Sequence, residues 1–257
     1  MTDEQMFLFD LQGYVVLEGV LDRSAAAALV ADMDAHDIQP PNEQSIDYRY
    51  GGFLEWGPAW RNLIDQQRVV DALGRIIGPK FRLDHAYGMA QRAETGMGKH
   101  GGLHHIGGMF DHGCYYVTHG ERMHNGLVVA SFALTDVPEG AGGFCCVPGT
   151  HKSLHPMPGD WYRKLETNPV VRHVPMRAGD VLIFTEALTH GTMPWRSTAG
   201  ERRSVLLKYC PHYMQWAQKP MDSDLEGLTD RQRRILDGAY VWQRTGLDEP
   251  IEQAATT

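Results

Sequence analysis

Residues 126–147, GLVVASFALTDVPEGAGGFCCV, decide the fold of this chain. The stretch predicts two apolar strands, at residues 126–136 and 143–147, joined by a turn rich in proline and glycine. Apolar runs of this length between strong turn signals are typical of buried strands in an antiparallel sandwich or barrel. The 257-residue chain continues the same pattern on both sides of this stretch.

Further strands and a few helices complete the predicted architecture. The segments with strand character lie at residues 13–17, 81–92, 171–176, 181–185 and 202–209. The predicted helices cover residues 3–10, 23–36 after an Asp22 cap, 67–77, and 222–245 with Thr229 or Asp230 as cap, whereas residues 37–57 are expected to be irregular. These elements predict a mainly β fold with flanking helices, a double-stranded β-helix (a cupin-like jelly roll), as a single domain over residues 1–257.

The charge and cysteine content restrict the partners and the compartment. The net charge of −8 argues against a nucleic-acid polymer or an anionic membrane as the main partner and leaves a small molecule. The first residues, MTDEQ, do not resemble a signal peptide, and no apolar run approaches the length of a membrane span. The four cysteines form no Cys-x-x-Cys pair, so we expect free thiols and a cytoplasmic location.

Histidines in two distant segments provide the main functional signal. The first segment is residues 99–108, KHGGLHHIGG, and the second contains His190, which Arg202 and Arg203 follow after twelve residues. An open non-haem iron site with a keto-acid cosubstrate needs imidazoles that hold the metal and a guanidinium that binds a carboxylate. The spacing of these residues predicts such a site.

Two blocks of sequence resemble the phytanoyl-CoA dioxygenase family of Fe(II)- and 2-oxoglutarate-dependent oxygenases. The first block is FALTDV at residues 132–137 with GGFCCVPGTHK at residues 142–152. The second is AGDVLIF at residues 178–184, which leads to His190-Gly191-Thr192 and to Arg202-Arg203-Ser204. The resemblance extends from Asp10 to about Tyr213, which is nearly the whole chain.

The resemblance implies a role for three residues and two cofactors. His190 corresponds to the distal iron ligand, Thr192 to the hydroxyl residue that contacts 2-oxoglutarate, and Arg202 to the arginine that binds its distal carboxylate. Arg203 is the weaker candidate, because adjacent residues of a strand face opposite sides. The implied cofactors are Fe(II) and the cosubstrate 2-oxoglutarate.

The family's first ligand pair, His-x-Asp or His-x-Glu, is absent from the histidine-rich segment. His104 and His105 are both candidates for the first ligand, and His100 is a third. Three interpretations of the missing carboxylate are open. A carboxylate from elsewhere completes the site, chloride takes its position as in related halogenases that carry Gly or Ala there, or the site is degraded. The carboxylate candidates are Asp111, Glu121 and Asp84, and the halogenase pattern fits either His105-Ile106-Gly107 or His100-Gly101-Gly102.

These observations favour an enzyme that oxidises an unactivated C–H bond of a small molecule. Such an enzyme consumes dioxygen and 2-oxoglutarate, releases succinate and carbon dioxide, and either hydroxylates or halogenates its substrate. The alternative from another class is a cupin-like binding or sensing module without turnover. Metal-dependent hydrolysis or isomerisation on the same fold is a third hypothesis, but it gives Arg202 no role.

Overall fold

The computed structural model describes residues 1–36, 38–40, 45–93, 102–105 and 113–247. Two antiparallel sheets face each other in this part of the chain, and helices cover the outer face of the larger sheet. The arrangement is the jelly roll with flanking helices that the sequence predicts.

The described residues contain eleven strands, numbered here in chain order. The larger sheet has the spatial order β1 (Tyr14–Leu17), β9 (Val181–Thr185), β6 (Val128–Ala133), β11 (Arg202–Pro211), β3 (Phe81–Gln91) and β2 (Asp47–Tyr50). The smaller sheet has the order β10 (His190–Met193), β7 (Gly143–Cys146) and β8 (Arg172–His173). Strands β4 (Tyr116–His119) and β5 (Arg122–Asn125) form a separate hairpin.

The helices pack against the outer face of the larger sheet. They are α1 (Asp3–Gln12), α2 (Arg23–Ala35), α3 (Pro58–Arg61), α4 (Gln67–Ile76) and α5 (Asp230–Leu236). Alternation along β6 directs Val128, Ala130 and Phe132 to this face, where they share one apolar cluster with Leu29 of α2 and Leu73 of α4. The cluster is the main core of the domain.

The inner face of the larger sheet packs on the smaller sheet and then becomes polar. Val129 and Phe184 form a second apolar cluster with Phe144 of β7. Leu206 of β11 packs against this cluster. Because side chains alternate along a strand, β11 directs Arg202, Ser204 and Lys208 to the same side as Leu206. The polar end of the space between the sheets is therefore lined by β11.

The predicted elements differ from the observed ones in several places. The helix predicted over residues 222–245 is too long, since α5 covers only Asp230–Leu236. Thr229, one of the two predicted caps, does cap α5. The strand predicted over residues 171–176 is reduced to Arg172–His173. Residues 37–57, expected to be irregular, contain β2 and a short 3-10 helix at Phe53–Trp56, and neither the β4–β5 hairpin nor β10 was predicted. Strand β10 is four residues long, HGTM, and has no apolar alternation, so only its pairing with β7 defines it.

All four cysteines are buried free thiols, as predicted. In the described part of the chain, every helix is too short or too polar to cross a membrane.

Candidate metal centre and cosubstrate pocket

The structure joins the two histidine segments through a pair of backbone hydrogen bonds. His104 N donates to His190 O at 2.7 Å, and His190 N donates to His104 O at 2.8 Å. Residues directly opposite each other in an antiparallel pair project their side chains to the same face. The two imidazole centroids accordingly lie 4.4 Å apart.

His190 is held in one tautomer at the inner face of β10. Its Nδ1 lies 2.7 Å from the carbonyl oxygen of Leu188, which can only accept, so Nδ1 carries the proton and Nε2 presents a lone pair. The rings of Phe144 and Phe184 pack on the imidazole at 5.8 and 4.8 Å. Burial lowers the pKa of His190 to about 4, so the ring is neutral at physiological pH, the form that binds a metal.

The other candidate first ligands do not meet His190 in the described residues. His105 points away from His104, and its Nε2 lies 2.8 Å from the Tyr162 hydroxyl. His100 lies outside the described residues. His104, which is exposed on one side, is therefore the histidine that the structure places beside His190.

Arg202 is a buried guanidinium that lacks a matching anion. Its relative exposure is 4%, and its Nε has no hydrogen-bond partner. Its Nη1 has only the Met89 sulfur at 3.9 Å and the Gln91 Oε1 at 3.5 Å, and no carboxylate among the described residues lies within ion-pair distance. Burial lowers the pKa of Arg202 to about 10, which still leaves it charged at neutral pH. A charge buried in this way is costly unless an anion joins it, so the position is suited to bind a carboxylate.

A glycine lies directly against the Arg202 side chain. Gly143 has a φ of +91°, and a Cβ there would lie 2.9 Å from the Arg202 Nε, so only glycine is compatible with this arginine position. Gly143 pairs with Met193 at the far end of β10 from His190, and half-buried Thr192 lies between them on the strand. The three steps from His190 to Met193 correspond to about 10 Å of strand.

Arg203 faces the opposite side of β11, as the alternation of the strand requires. Its guanidinium contacts Asp34 at 2.6 Å and Glu201 at 3.2 Å. Both partners are carboxylates of the chain itself, so the charge of Arg203 is already balanced. The structure thus places Arg202, and not Arg203, on the side of the candidate metal centre.

The carboxylates proposed from the sequence are not found beside the histidine pair. Asp84 is fully buried and accepts hydrogen bonds from Arg82, from His85 at 2.6 Å and from the backbone amides of Trp216 and Ala217. Burial alone would raise the pKa of Asp84, but these bonds outweigh it and lower the pKa. Asp84 therefore has a structural role, and Glu121 is exposed in the turn of the β4–β5 hairpin.

The remaining carboxylate candidate, Asp111, and the residues of the halogenase pattern at Ile106 and Gly107 lie outside the described residues. Their placement beside the histidine pair stays a prediction.

One acidic residue near the centre was missed by the sequence analysis. Glu186 is 1% exposed, follows β9, and receives a hydrogen bond from Lys208 Nζ at 2.6 Å. Its Oε2 lies 4.0 Å from the His190 Nε2. Burial alone would raise the pKa of Glu186, but Lys208 and His190 more than offset that and lower it. Its position just after a buried strand and four residues before His190 was a signal that a search for His-x-Asp pairs could not detect.

A cavity of about 450 Å³ lies beside the loop that leads to His190, and its lining contains His105 but neither His104 nor His190. Ala187 and Thr189, from the loop that joins Glu186 to His190, line its wall together with His105. Aromatic side chains of Tyr115 and Tyr116 contribute further apolar surface. The size and the mixed lining are typical of a small-molecule site.

Comparison with known families agrees with this geometry. The profile of the phytanoyl-CoA dioxygenase (PhyH) family matches residues 9–204, which is most of the chain. The chain belongs to the phytanoyl-CoA dioxygenase family. This confirms the resemblance found in the sequence, and the match includes the His104–His190 pair and Arg202. No curated protein sequence matches significantly.

Solved structures with the same fold include HygX, SnoN and SnoK. HygX from Streptomyces hygroscopicus, crystallised with nickel and 2-oxoglutarate, has a TM-score of 0.71 and 23% identity, covering 89% of this chain and 95% of HygX. The epimerase SnoN, in complex with Fe3+, alpha ketoglutarate and nogalamycin RO, has a TM-score of 0.60 and 22% identity over 94% of this chain and 96% of SnoN. The carbocyclase SnoK from nogalamycin biosynthesis has a TM-score of 0.61 and 19% identity over 82% of this chain and 85% of SnoK. At these identities the likeness is one of fold.

Proposed function

We propose that this protein is an Fe(II)- and 2-oxoglutarate-dependent oxygenase that oxidises an unactivated C–H bond of a small molecule. The observation that carries the proposal is the buried, unpaired guanidinium of Arg202 at the opposite end of β10 from the His104–His190 pair. A five-carbon keto diacid can bridge this distance, with its keto acid at the metal and its far carboxylate at Arg202. The proposal treats residues 1–257 as one catalytic domain.

The residues present fit both cofactors. His190 offers a neutral Nε2 lone pair, and His104 adds a second imidazole beside it. Arg202 holds the cosubstrate carboxylate, and Thr192 is positioned between the two ends. HygX binds nickel and 2-oxoglutarate on the same fold, and SnoN binds Fe3+ and alpha ketoglutarate. When bound, the iron and 2-oxoglutarate together supply oxidative decarboxylation, with succinate and carbon dioxide as products.

In this proposal the substrate binds in the cavity that His105, Ala187 and Thr189 line, next to the loop that leads to His190. Its volume of about 450 Å³ suits a small molecule with apolar and hydrogen-bonding groups. HygX has been crystallised with hygromycin B and SnoN with nogalamycin RO, so enzymes of this fold bind small molecules. The buried free thiols of this chain are compatible with the reducing cytoplasm, where we place the reaction.

Hydroxylation and halogenation are the two outcomes between which the sequence pattern leaves a choice. They differ in whether a halide occupies a position at the metal, so they differ in chloride dependence. Products and metal spectra that are identical with and without chloride would exclude halogenation. A chlorinated product would instead support the halogenase alternative.

The test of the proposed function starts under anaerobic conditions. Addition of Fe(II) and then 2-oxoglutarate to the protein should produce the visible charge-transfer band of a chelated keto acid. Admission of dioxygen should then release succinate, slowly without substrate and faster with one. If the protein binds the metal but gives no band and no succinate, the cupin-like binding module becomes the better description. Product formed without dioxygen would favour hydrolysis or isomerisation.

A further inference from the structure

The unexplained feature of the metal centre is the position of Glu186. Its Oε1 is bound by Lys208 at 2.6 Å, and its Oε2 faces the His190 Nε2 at 4.0 Å. The side chains of Glu186 and Lys208 are 2% and 13% exposed, so water does not solvate this pair freely. The Oε2 atom has no hydrogen-bond donor of its own among the described residues.

Two acceptor atoms therefore face each other across this gap. The Leu188 carbonyl fixes the proton of His190 on Nδ1, which leaves Nε2 with a lone pair directed at a carboxylate oxygen. The 4.0 Å separation is too long for a hydrogen bond between the two atoms. Facing acceptors repel each other unless a cation lies between them, and the buried setting strengthens that repulsion.

The gap is about 1 Å wider than two adjacent ligands of one metal ion need. Bonds from a first-row metal to imidazole nitrogen and carboxylate oxygen are about 2.0–2.2 Å long. Two ligands at right angles on such an ion lie about 3 Å apart, so Oε2 and Nε2, which are 4.0 Å apart, must approach each other to share it. His104 adds its ring at 4.4 Å from that of His190. As they stand, no three His, Cys, Asp or Glu side chains of the described residues form a group that could hold a metal ion, so the proposed site requires these three side chains to move closer together.

We propose that Glu186 supplies the carboxylate ligand that the His-x-Asp pair supplies elsewhere in the family, so that His104, His190 and Glu186 hold the metal. Lys208 is then a positioning residue, which binds Oε1 and directs Oε2 toward the ion. The inference rests on the proposed function, because it assumes a metal at the histidine pair. It also predicts hydroxylation over halogenation, since the carboxylate occupies the position that a halide would need.

The competing carboxylates are accounted for in the described residues. Asp84 is saturated by Arg82, His85 and two backbone amides, and Glu121 is exposed in a hairpin turn. Asp111 is the remaining rival, and the experiment therefore includes it.

The experiment measures metal affinity directly by titration of the apoprotein with Co(II) and Ni(II), without 2-oxoglutarate or dioxygen. The visible spectrum of bound Co(II) reports the ligand set independently of turnover. Glu186→Gln should weaken binding by more than 100-fold and change the Co(II) spectrum. Lys208→Met should weaken it by about 10- to 100-fold, the range for loss of a residue that orients a ligand. The matched control Glu166→Gln removes a carboxylate from an exposed ion pair with Arg196 and should bind like the wild type.

Glu186→Gln leaves the Lys208 charge buried without a partner and can destabilise the fold. The double variant Glu186→Gln/Lys208→Met removes both charges and should fold, as judged by circular dichroism, while its metal affinity stays low. A folded double variant that binds Co(II) as tightly as the wild type, with an unchanged spectrum, would overturn the inference. So would an Asp111→Asn variant that loses the metal while Glu186→Gln keeps it.

The His190→Ala variant separates this inference from the proposed function. If His190→Ala and the wild type bind Co(II) equally, the metal centre itself is misplaced and both proposals fail. If His190→Ala loses the metal and Glu186→Gln does not, the metal centre stands and only the role of Glu186 fails.

Discussion

Replacement of Arg202 by methionine should stabilise the ligand-free protein and at the same time remove its response to 2-oxoglutarate. The two effects have one cause. The guanidinium is 4% exposed, its Nε has no partner, and its nearest acceptors are a sulfur at 3.9 Å and an amide oxygen at 3.5 Å. Methionine keeps most of the volume of the stem and removes the unpaired charge.

The magnitudes follow from the burial of this group. Substitution of apolar side chains for buried charges has stabilised proteins by about 1–4 kcal/mol, and we expect a gain in that range. In the wild type, 2-oxoglutarate at 100 times its Kd adds about 2.7 kcal/mol. For a domain of this size that corresponds to a Tm increase of roughly 5–10 °C. Loss of a buried charge contact costs about 2–5 kcal/mol of binding, so at the same concentration the gain in the variant falls below about 1 kcal/mol.

The assay is a thermal melt of the Ni(II)-loaded protein with increasing 2-oxoglutarate, since nickel keeps the metal centre filled without oxygen chemistry. Arg203→Met is the matched control. It removes the neighbouring arginine, which pairs with Asp34 and Glu201 on the other side of β11, and it should keep the full response to 2-oxoglutarate. An Arg202→Met variant with the wild-type response would refute the reasoning, and so would loss of the response in Arg203→Met.

Three further changes test the surroundings of the site. Gly143→Ala should weaken 2-oxoglutarate binding in the same melts, because Gly143 has a φ of +91° and the added Cβ would lie 2.9 Å from the Arg202 Nε. A wild-type response of this variant would show that the close approach of Gly143 and Arg202 is not needed. Asp84→Asn should cost about 3–5 kcal/mol of unfolding free energy at neutral pH in urea titrations, since it breaks a buried pair with Arg82. The folded-state pKa of Asp84 is lowered, so its contribution to the free energy of unfolding is complete above the ordinary pKa of 3.8 and is lost as the pH falls below that value. The unfolding free energies of variant and wild type in urea should therefore converge in acid. A difference that stays constant with pH would contradict this. Ile183→Ala, in the fully buried outer-face core, should cost about 2–5 kcal/mol in the same titrations, and a cost under 1 kcal/mol would show that this core is loosely packed.

The parts of the fold that the sequence predicts are those with long apolar runs. Strands β3, β9 and β11 lie within one or two residues of their predicted bounds, because continuous buried segments leave few alternatives. The helix predicted to reach residue 245 ends at Leu236 because the chain turns back there. Arg244, 4% exposed, folds over the helix end and donates to the carbonyl oxygens of Arg234 and Gly238. A contact of this kind has no periodic signal.

The residues of the candidate site also differ in how far the sequence alone predicts them. The spacing of His190 and Arg202 marked them in the sequence, and strand alternation separated Arg202 from Arg203. The choice between His104 and His105 could not be made, since it depends on which residue of the segment pairs with β10. Glu186 was missed because its significance comes from Lys208, on a strand that is not adjacent in the chain. Local spacing carries no information about that contact.

Because His104 pairs with His190, the pairing register between residues 102–105 and β10 determines which side chain lies beside His190 as the candidate first ligand. If the segment of residues 102–105 slid by one position along β10, the side chain presented to the metal centre would become that of Leu103 or His105. Gly191 permits this close approach of the two segments, since a Cβ there would lie 3.2 Å from the Gly102 oxygen and 3.3 Å from the Leu103 Cα. A glycine that is itself no candidate ligand thus lies where the segment that carries His104 meets β10. Its hydrogen atom sets how closely two stretches of main chain can approach.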